Sequence, residues 1–185
     1  MDNFAGLRRL IPKIEAYQNR KKVTVDSAIS KITEIVESLD KKKNKLIFLG
    51  NGGSASIASH MAVDFLKNAC FPAIAFNDAS LLTCISNDLG YEHVFQKPIE
   101  ILAQKGDIVF AISSSGKSKN IINAARISKI KGCLLITLSG FDTSNPLHSS
   151  WVSVFLLSQL LSAIRLLPHN QHILWRQYSR CADDG

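Results

Sequence analysis

The stretch Leu46-Ile47-Phe48-Leu49-Gly50-Asn51-Gly52-Gly53-Ser54 decides the fold. Four consecutive apolar residues are too short for a helix and read as a strand buried on both faces, and the glycines after them force a tight turn. Beyond the turn, Ile57, Met61, Phe65 and Leu66 keep the three- and four-residue spacing of a helix with one buried side. The same unit returns downstream. Residues 107–112 read as a strand, Ser113-Ser114-Ser115-Gly116-Lys117-Ser118 as a turn, and residues 120–130 as a helix. Residues 73–76 and 133–138 supply two more strands, and residues 80–87 and 94–102 two more helical pieces. Four strands alternating with helices predict an α/β fold, a doubly wound parallel sheet flanked by helices.

Working outward, Leu7, Leu10, Ile11 and Ile14, then Ala28, Ile32, Ile35, Val36 and Leu39 predict two amphipathic N-terminal helices. The run Lys41-Lys42-Lys43-Asn44-Lys45 reads as a solvated connector. Three segments follow: 1–40 helical, 41–147 the α/β core, 148–185 a tail of different composition. Thirteen of the fifteen acidic residues precede Thr143, none lies between Thr143 and Ala182, and both tryptophans fall in that stretch. Leu156, Leu157, Leu160, Leu161, Ile164 and Leu167 predict an amphipathic helix there, and Gln159 and Arg165 make the segment a poor membrane span. A frameshift near His148 accounts for the abrupt change, and the alternative reading frame of the locus would then encode a more ordinary ending.

With 185 residues, 46% of them hydrophobic, the chain can bury a core of its own, which excludes a disordered protein. Twenty-two Lys and Arg against fifteen Asp and Glu give +7, a bias toward anionic partners. No Arg-rich tract is present, so a phosphorylated metabolite fits as well as nucleic acid. Four scattered cysteines without a C-x-x-C pair, and no leading apolar segment, point to a reducing, cytoplasmic setting.

In parallel sheets ligands sit beyond the carboxyl ends of the strands, where free N–H groups at helix starts attract anions. Gly52 and Gly53 permit positive φ and close backbone approach, and Ser113, Ser114, Ser115 and Ser118 offer hydroxyls around a second turn. One Ser-rich helix start alone is usually a cap; two such turns together favour a bound phosphate. Gly116-Lys117-Ser118 matches the end of a nucleotide-binding P-loop, but Ala111 stands where its first glycine belongs. The glycine turn likewise departs from G-x-G-x-x-G, so no nucleotide cofactor is expected. His60 and Asp64, at i and i+4, share one face of the helix after that turn, and carboxylate with imidazole suits proton transfer.

Leu49 to Ser56, Ala58-Ser59-His60-Met61-Ala62, Ala111 to Ser118 and Ile136-Thr137-Leu138-Ser139-Gly140 together resemble the sugar isomerase (SIS) domain family, and within it the phosphoheptose isomerases. The resemblance implies interconversion of sedoheptulose 7-phosphate and glycero-manno-heptose 7-phosphate through an enediol. It implies a phosphate seat at Ser113, Ser114, Ser115 and Ser118, a sugar-facing turn at Asn51, Gly52, Gly53 and Ser54, and a pocket loop at Asn87 and Asp88. Homotetramers with N-terminal helices between subunits are implied too, with heptose synthesis for surface polysaccharide (lipopolysaccharide) as the setting. No membrane partner follows from it, and nucleic acid is not expected as a ligand.

The same resemblance implies a carboxylate base at Asp64, where the family carries Glu. Asp is shorter by one methylene, about 1.5 Å, and misplacement on that scale can cost about a hundredfold in rate. Counting into the tail places a second catalytic group at His169, in Leu167-Pro168-His169-Asn170, whose surroundings do not match the family's pattern. Some members bind zinc through the positions of His60 and Asp64; two donors are compatible with that and insufficient for it, which leaves metal dependence open. The alternative is a non-catalytic member of the same fold, a sugar-phosphate sensor or adaptor, favoured by the shortened base and the altered tail.

Overall fold

The computed structural model describes residues 14–140, 144–149 and 152–155. Seven strands form one sheet: β1 (Glu15–Gln18), β2 (Lys21–Val23), β3 (Leu46–Gly50), β4 (Ala73–Ala75), β5 (Ile108–Ser113), β6 (Leu134–Ser139) and β7 (Val152–Phe155), in the order β2-β1-β7-β6-β5-β3-β4. The five strands from β7 to β4 run parallel, and the β1–β2 hairpin closes the β7 edge antiparallel. The helices are α1 (Val25–Glu37), α2 (Gly53–Asn68), α3 (Ala79–Leu89), α4 (Gln96–Leu102) and α5 (Lys119–Ile130). The doubly wound parallel sheet flanked by helices is the expected fold class.

The central strands read as unbroken apolar runs because both faces are covered. Ile47 and Leu49 of β3 with Val109 and Ala111 of β5 point to one side, where Val94 and Phe95, just after the 3-10 turn Tyr91–His93, Ile99 of α4 and Ile121 of α5 meet them. Leu46 and Phe48 with Ile108, Phe110 and Ile112 point to the other, under Ala58 and Ala62 of α2 and Val36 of α1. Phe48 stacks on Phe110 with ring centroids 4.7 Å apart. The period of two along each strand thus sorts one hydrophobic run into two cores.

Two expectations are corrected. The apolar spacing through Ile14 suggested helix, but residues 15–23 form the hairpin. Asn19 and Arg20 both take positive φ, 50° and 66°, in a two-residue loop whose left-handed backbone matches the twist of the strands. Lys22 hydrogen-bonds Glu15 across it, and Tyr17 hydrogen-bonds the same carboxylate from within β1. Leu7, Leu10 and Ile11 lie outside the described residues, as does the tail helix expected from Leu156 to Leu167. β7, inside the segment set apart as tail, joins the sheet beside β6 instead of lying apart from it.

The lysine run is also more than a connector. Lys45 Nζ donates to Asp107 Oδ2 at 2.7 Å, and the fully buried Asp107 carboxylate further accepts the backbone N–H groups of Lys45 and Gln104 at 3.0 and 2.9 Å. A buried charge so paired keeps its place, and it fastens β3 to β5 at their amino ends. Lys41 lies over the Phe71 ring, 3.7 Å from its centroid.

Candidate functional site

The chain runs from β3 outward to β4, then returns to place β5 on β3's other side, so the direction of winding reverses between β3 and β5. Crevices form at such reversals, beyond the carboxyl ends of the strands. Gly50 pairs with Ile112 and Ser113 with Ser139 in the strand register, which brings the glycine turn, the serine turn and Ser139-Gly140 side by side. The serine turn is internally braced. Gly116 N–H donates to Ser113 O at 2.9 Å, Ser113 Oγ donates to Ser118 Oγ at 3.3 Å, and Gly140 N–H donates to Ser114 O at 2.9 Å. Gly116 has φ +63°, and Asn145, which donates to Ser139 Oγ at 3.0 Å, occupies the space a side chain there would need.

Helix starts differ in a way that bears on anions. Thr24 caps α1 and Asp78 caps α3 with side-chain oxygens, and the seven-residue α4 follows a 3-10 turn without a cap. The two long helices that begin at the crevice, α2 after Gly52 and α5 after Ser118, carry no side-chain cap. Ser54 and Ala55 N–H already bond Asn51 O and Gly52 O, and Ile121 N–H bonds Asn120 Oδ1, so the N–H groups of Gly53, Lys119 and Asn120 and the positive ends of the dipoles are left for a ligand or water. Ser118 occupies a capping position yet bonds Ser113 instead.

A cleft of about 270 Å³ opens here, lined by Asn51, Tyr91, Glu92, Ser118, Lys119 and Asn120. That is close to the lower end of small-molecule sites. Asn51 and Asn120 face each other as a reciprocal amide pair, Nδ2 to Oδ1 at 3.0 Å and 2.8 Å, and Tyr91 OH donates to Asn51 Oδ1 at 3.1 Å. Lys119 makes no ion pair with the described residues. Asn120, Tyr91, Glu92 and Lys119 were not singled out from the sequence. A lone Asn in a first helical turn carries no signal by itself, although its position two residues after the serine turn could have drawn attention to it.

Of the residues that were singled out, Asn51 and Ser118 line the cleft, while Ser113, Ser114, Ser115 and Gly52 build the turns around it. Gly52 takes the positive φ expected, +53°; Gly53 is already helical. Ser54 is buried, packed over Gly50 rather than lining the cleft. Asn87 and Asp88 sit exposed at the end of α3 and bond each other at 2.9 Å, outside the lining of the cleft. His60 Nε2 pairs with Asp64 Oδ2 at 3.1 Å on the outer side of α2, and Asn68 Nδ2 reaches Asp64 Oδ1 at 3.4 Å. His169 lies outside the described residues. Among the described residues no group of three or more His, Cys, Asp or Glu could hold a metal, so His60 and Asp64 do not there make up a zinc set. No helix among them is long and apolar enough to cross a membrane.

Comparison with known proteins agrees with this geometry. The family model described as "SIS domain" matches residues 11–140. A phosphoheptose isomerase of Histophilus somni is 45% identical over 107 residues, 55% of this chain and 55% of that protein. In that alignment the chain spans about half the relative's length. A phosphoheptose isomerase of Helicobacter hepaticus is 41% identical over 132 residues, 68% of this chain and 67% of its own. Among solved structures, the phosphoheptose isomerase of Neisseria gonorrhoeae superposes with a TM-score of 0.71 at 27% identity, covering 98% of this chain and 95% of that one. The winding reversal between two uncapped helix starts and the matched residues lead to one conclusion: the chain belongs to the SIS domain family.

Proposed function

We propose that the chain is an aldose–ketose isomerase of sugar phosphates, interconverting sedoheptulose 7-phosphate and glycero-manno-heptose 7-phosphate in the cytoplasm. The observation that carries this reading is the pair of uncapped helix starts flanking the serine turn at the strand reversal, a seat for a phosphate dianion. Ser113, Ser114, Ser115, Ser118 and the α5 N–H groups hold the phosphate, Lys119 adds charge, and Asn51 with its turn meets the sugar. Asp64 takes the proton from C1 of the ketose. The electron pair left behind forms the enediol, a proton returns at C2, and a second proton moves from the C1 oxygen to the C2 oxygen, which turns from carbonyl to hydroxyl, with His169 as acid. The reaction uses no nucleotide.

Distance bears on how Asp64 is delivered. Eleven residues separate it from Gly53, about 16 Å along the axis at about 1.5 Å each. Six C–C bonds of about 1.5 Å separate C7 from C1, at most about 9 Å of contour. The pair therefore serves the cleft of another copy, in a homotetramer. Exposed Val63 and Leu66, 56% and 58% accessible on the same helix, support a covered face there.

The test is incubation with sedoheptulose 7-phosphate followed by NMR, with and without zinc. The expected result is aldose formation, reduced at least roughly a hundredfold by Asp64→Ala. Saturable binding without aldose formation under either condition would overturn the isomerase reading in favour of a sugar-phosphate sensor.

A further inference from the structure

We propose that Asn120 and Tyr91 are positioning residues that lock the side-chain amide of Asn51 so that the amide pair offers the ligand hydrogen-bond donors only, favouring an accepting, charge-bearing ligand oxygen over a group that must donate there. The polarity starts at the backbone. Ile121 N–H can only donate, and it meets Asn120 Oδ1 at 2.9 Å, which fixes that atom as the acceptor. Asn120 Nδ2 must then face Asn51 Oδ1, and Asn51 Nδ2 must face Asn120 Oδ1. Tyr91 consequently donates its hydroxyl proton to Asn51 Oδ1. Its 3-10 turn is held to α5 by Asn123 Nδ2, which donates to Glu92 O at 3.2 Å.

Each amide oxygen now accepts two hydrogen bonds, its full complement. Each NH2 group has given one of its two hydrogens, and the other has no partner among the described residues. Both residues line the cleft. A sugar hydroxyl that approaches to donate finds no free acceptor on the pair, whereas a carbonyl or enediolate oxygen finds N–H groups already aimed. This inference rests on the isomerase reading, in which those two oxygens are the unprotonated ones of ground state and intermediate. Donors held in place before charge develops lower the barrier more than donors that must reorganise.

The experiment follows the Asn51 side-chain amide by 15N NMR during titration with sedoheptulose 7-phosphate, alongside steady-state kinetics, in wild type, Asn120→Asp and Tyr91→Phe. Asn120→Asp keeps the acceptor for Ile121 N–H and removes the donor to Asn51. Wild type should show the free Asn51 N–H moving downfield on binding. Asn120→Asp should lose that movement and at least roughly tenfold in kcat, with KM within roughly threefold; Tyr91→Phe should do the same to a smaller degree. An Asn51 amide that does not move in the saturated wild type, or folded variants with wild-type shift and kcat, would overturn the proposal. If Asn120→Asp fails to fold, the exposed Tyr91→Phe decides alone. A shift at Asn51 in a protein that never turns over sustains the donor pair and rejects the isomerase reading.

Discussion

A side chain at Gly116 would place its Cβ 2.0 Å from Asn145 Oδ1, on a backbone whose φ of +63° already disfavours L residues. Asn145 cannot yield without releasing Ser139, so Gly116→Ala is expected to cost about 2–4 kcal/mol and to weaken sugar-phosphate binding together with stability. Thermal unfolding and a binding titration on the same sample check both; a variant unchanged in either would show that the turn can rearrange. Cysteines give a second contrast. Burial, then the nearby Asp107 charge, push the Cys133 thiol up to about 11, while Cys84 is exposed. A raised value favours the neutral thiol in the fold, so its stabilising share is complete below the unfolded value and is lost as pH rises through about 11. At pH 8 alkylation should therefore mark Cys84 well before Cys133, as peptide mass spectrometry would read. At this scale the sequence was partly legible. Glycines and clustered serines announce a turn by type alone, whereas Asn120 and Tyr91 acquire meaning only from Asn51, which the fold brings to them from far away in the chain.

The β1–β2 hairpin shows where element-level reading falters. Its loop is Asn19-Arg20, and the second residue lacks the glycine that normally signals a two-residue turn, so helical spacing nearby took precedence. Left-handed backbone costs an ordinary residue about 1–2 kcal/mol, against about 0.5–1 kcal/mol for glycine's greater freedom in the unfolded chain. Arg20→Gly should thus stabilise by about 0.5–1 kcal/mol, seen as a higher urea midpoint at unchanged slope; a lower midpoint would mean the Arg20 side chain contributes more than its backbone costs. β3, β5 and their helices were legible because a change of period from two to 3.6 across a glycine turn has few other readings. The short β4 ends one residue earlier than its pattern suggests, the helix expected from residue 94 begins at Gln96, and the 3-10 turn at Tyr91–His93 carries no pattern of its own.

For the whole molecule, the proposed tetramer has a direct measure: light scattering should give about 82 kDa, four times the 20.4 kDa chain. A single-chain mass would leave the His60–Asp64 pair remote from any cleft it could serve. The two ends of the sheet divide the labour, with Asp107 and Lys45 fastening the amino ends and the glycine and serine turns, the proposed ligand seat, occupying the carboxyl ends. The remaining feature is the edge, where β1 is hydrogen-bonded to β2 and β7 but to nothing made between them. During synthesis β1 leaves the ribosome about 130 residues ahead of β7, which at about 5–20 residues per second is a wait of roughly 7–26 s. For that interval a two-stranded ribbon, only marginally stable alone, must remain unpaired or find a temporary escort. The first of the described strands is thus among the last to be secured, and the window for capture by a chaperone, or by another nascent copy, is set by the distance in sequence between two short segments of one sheet.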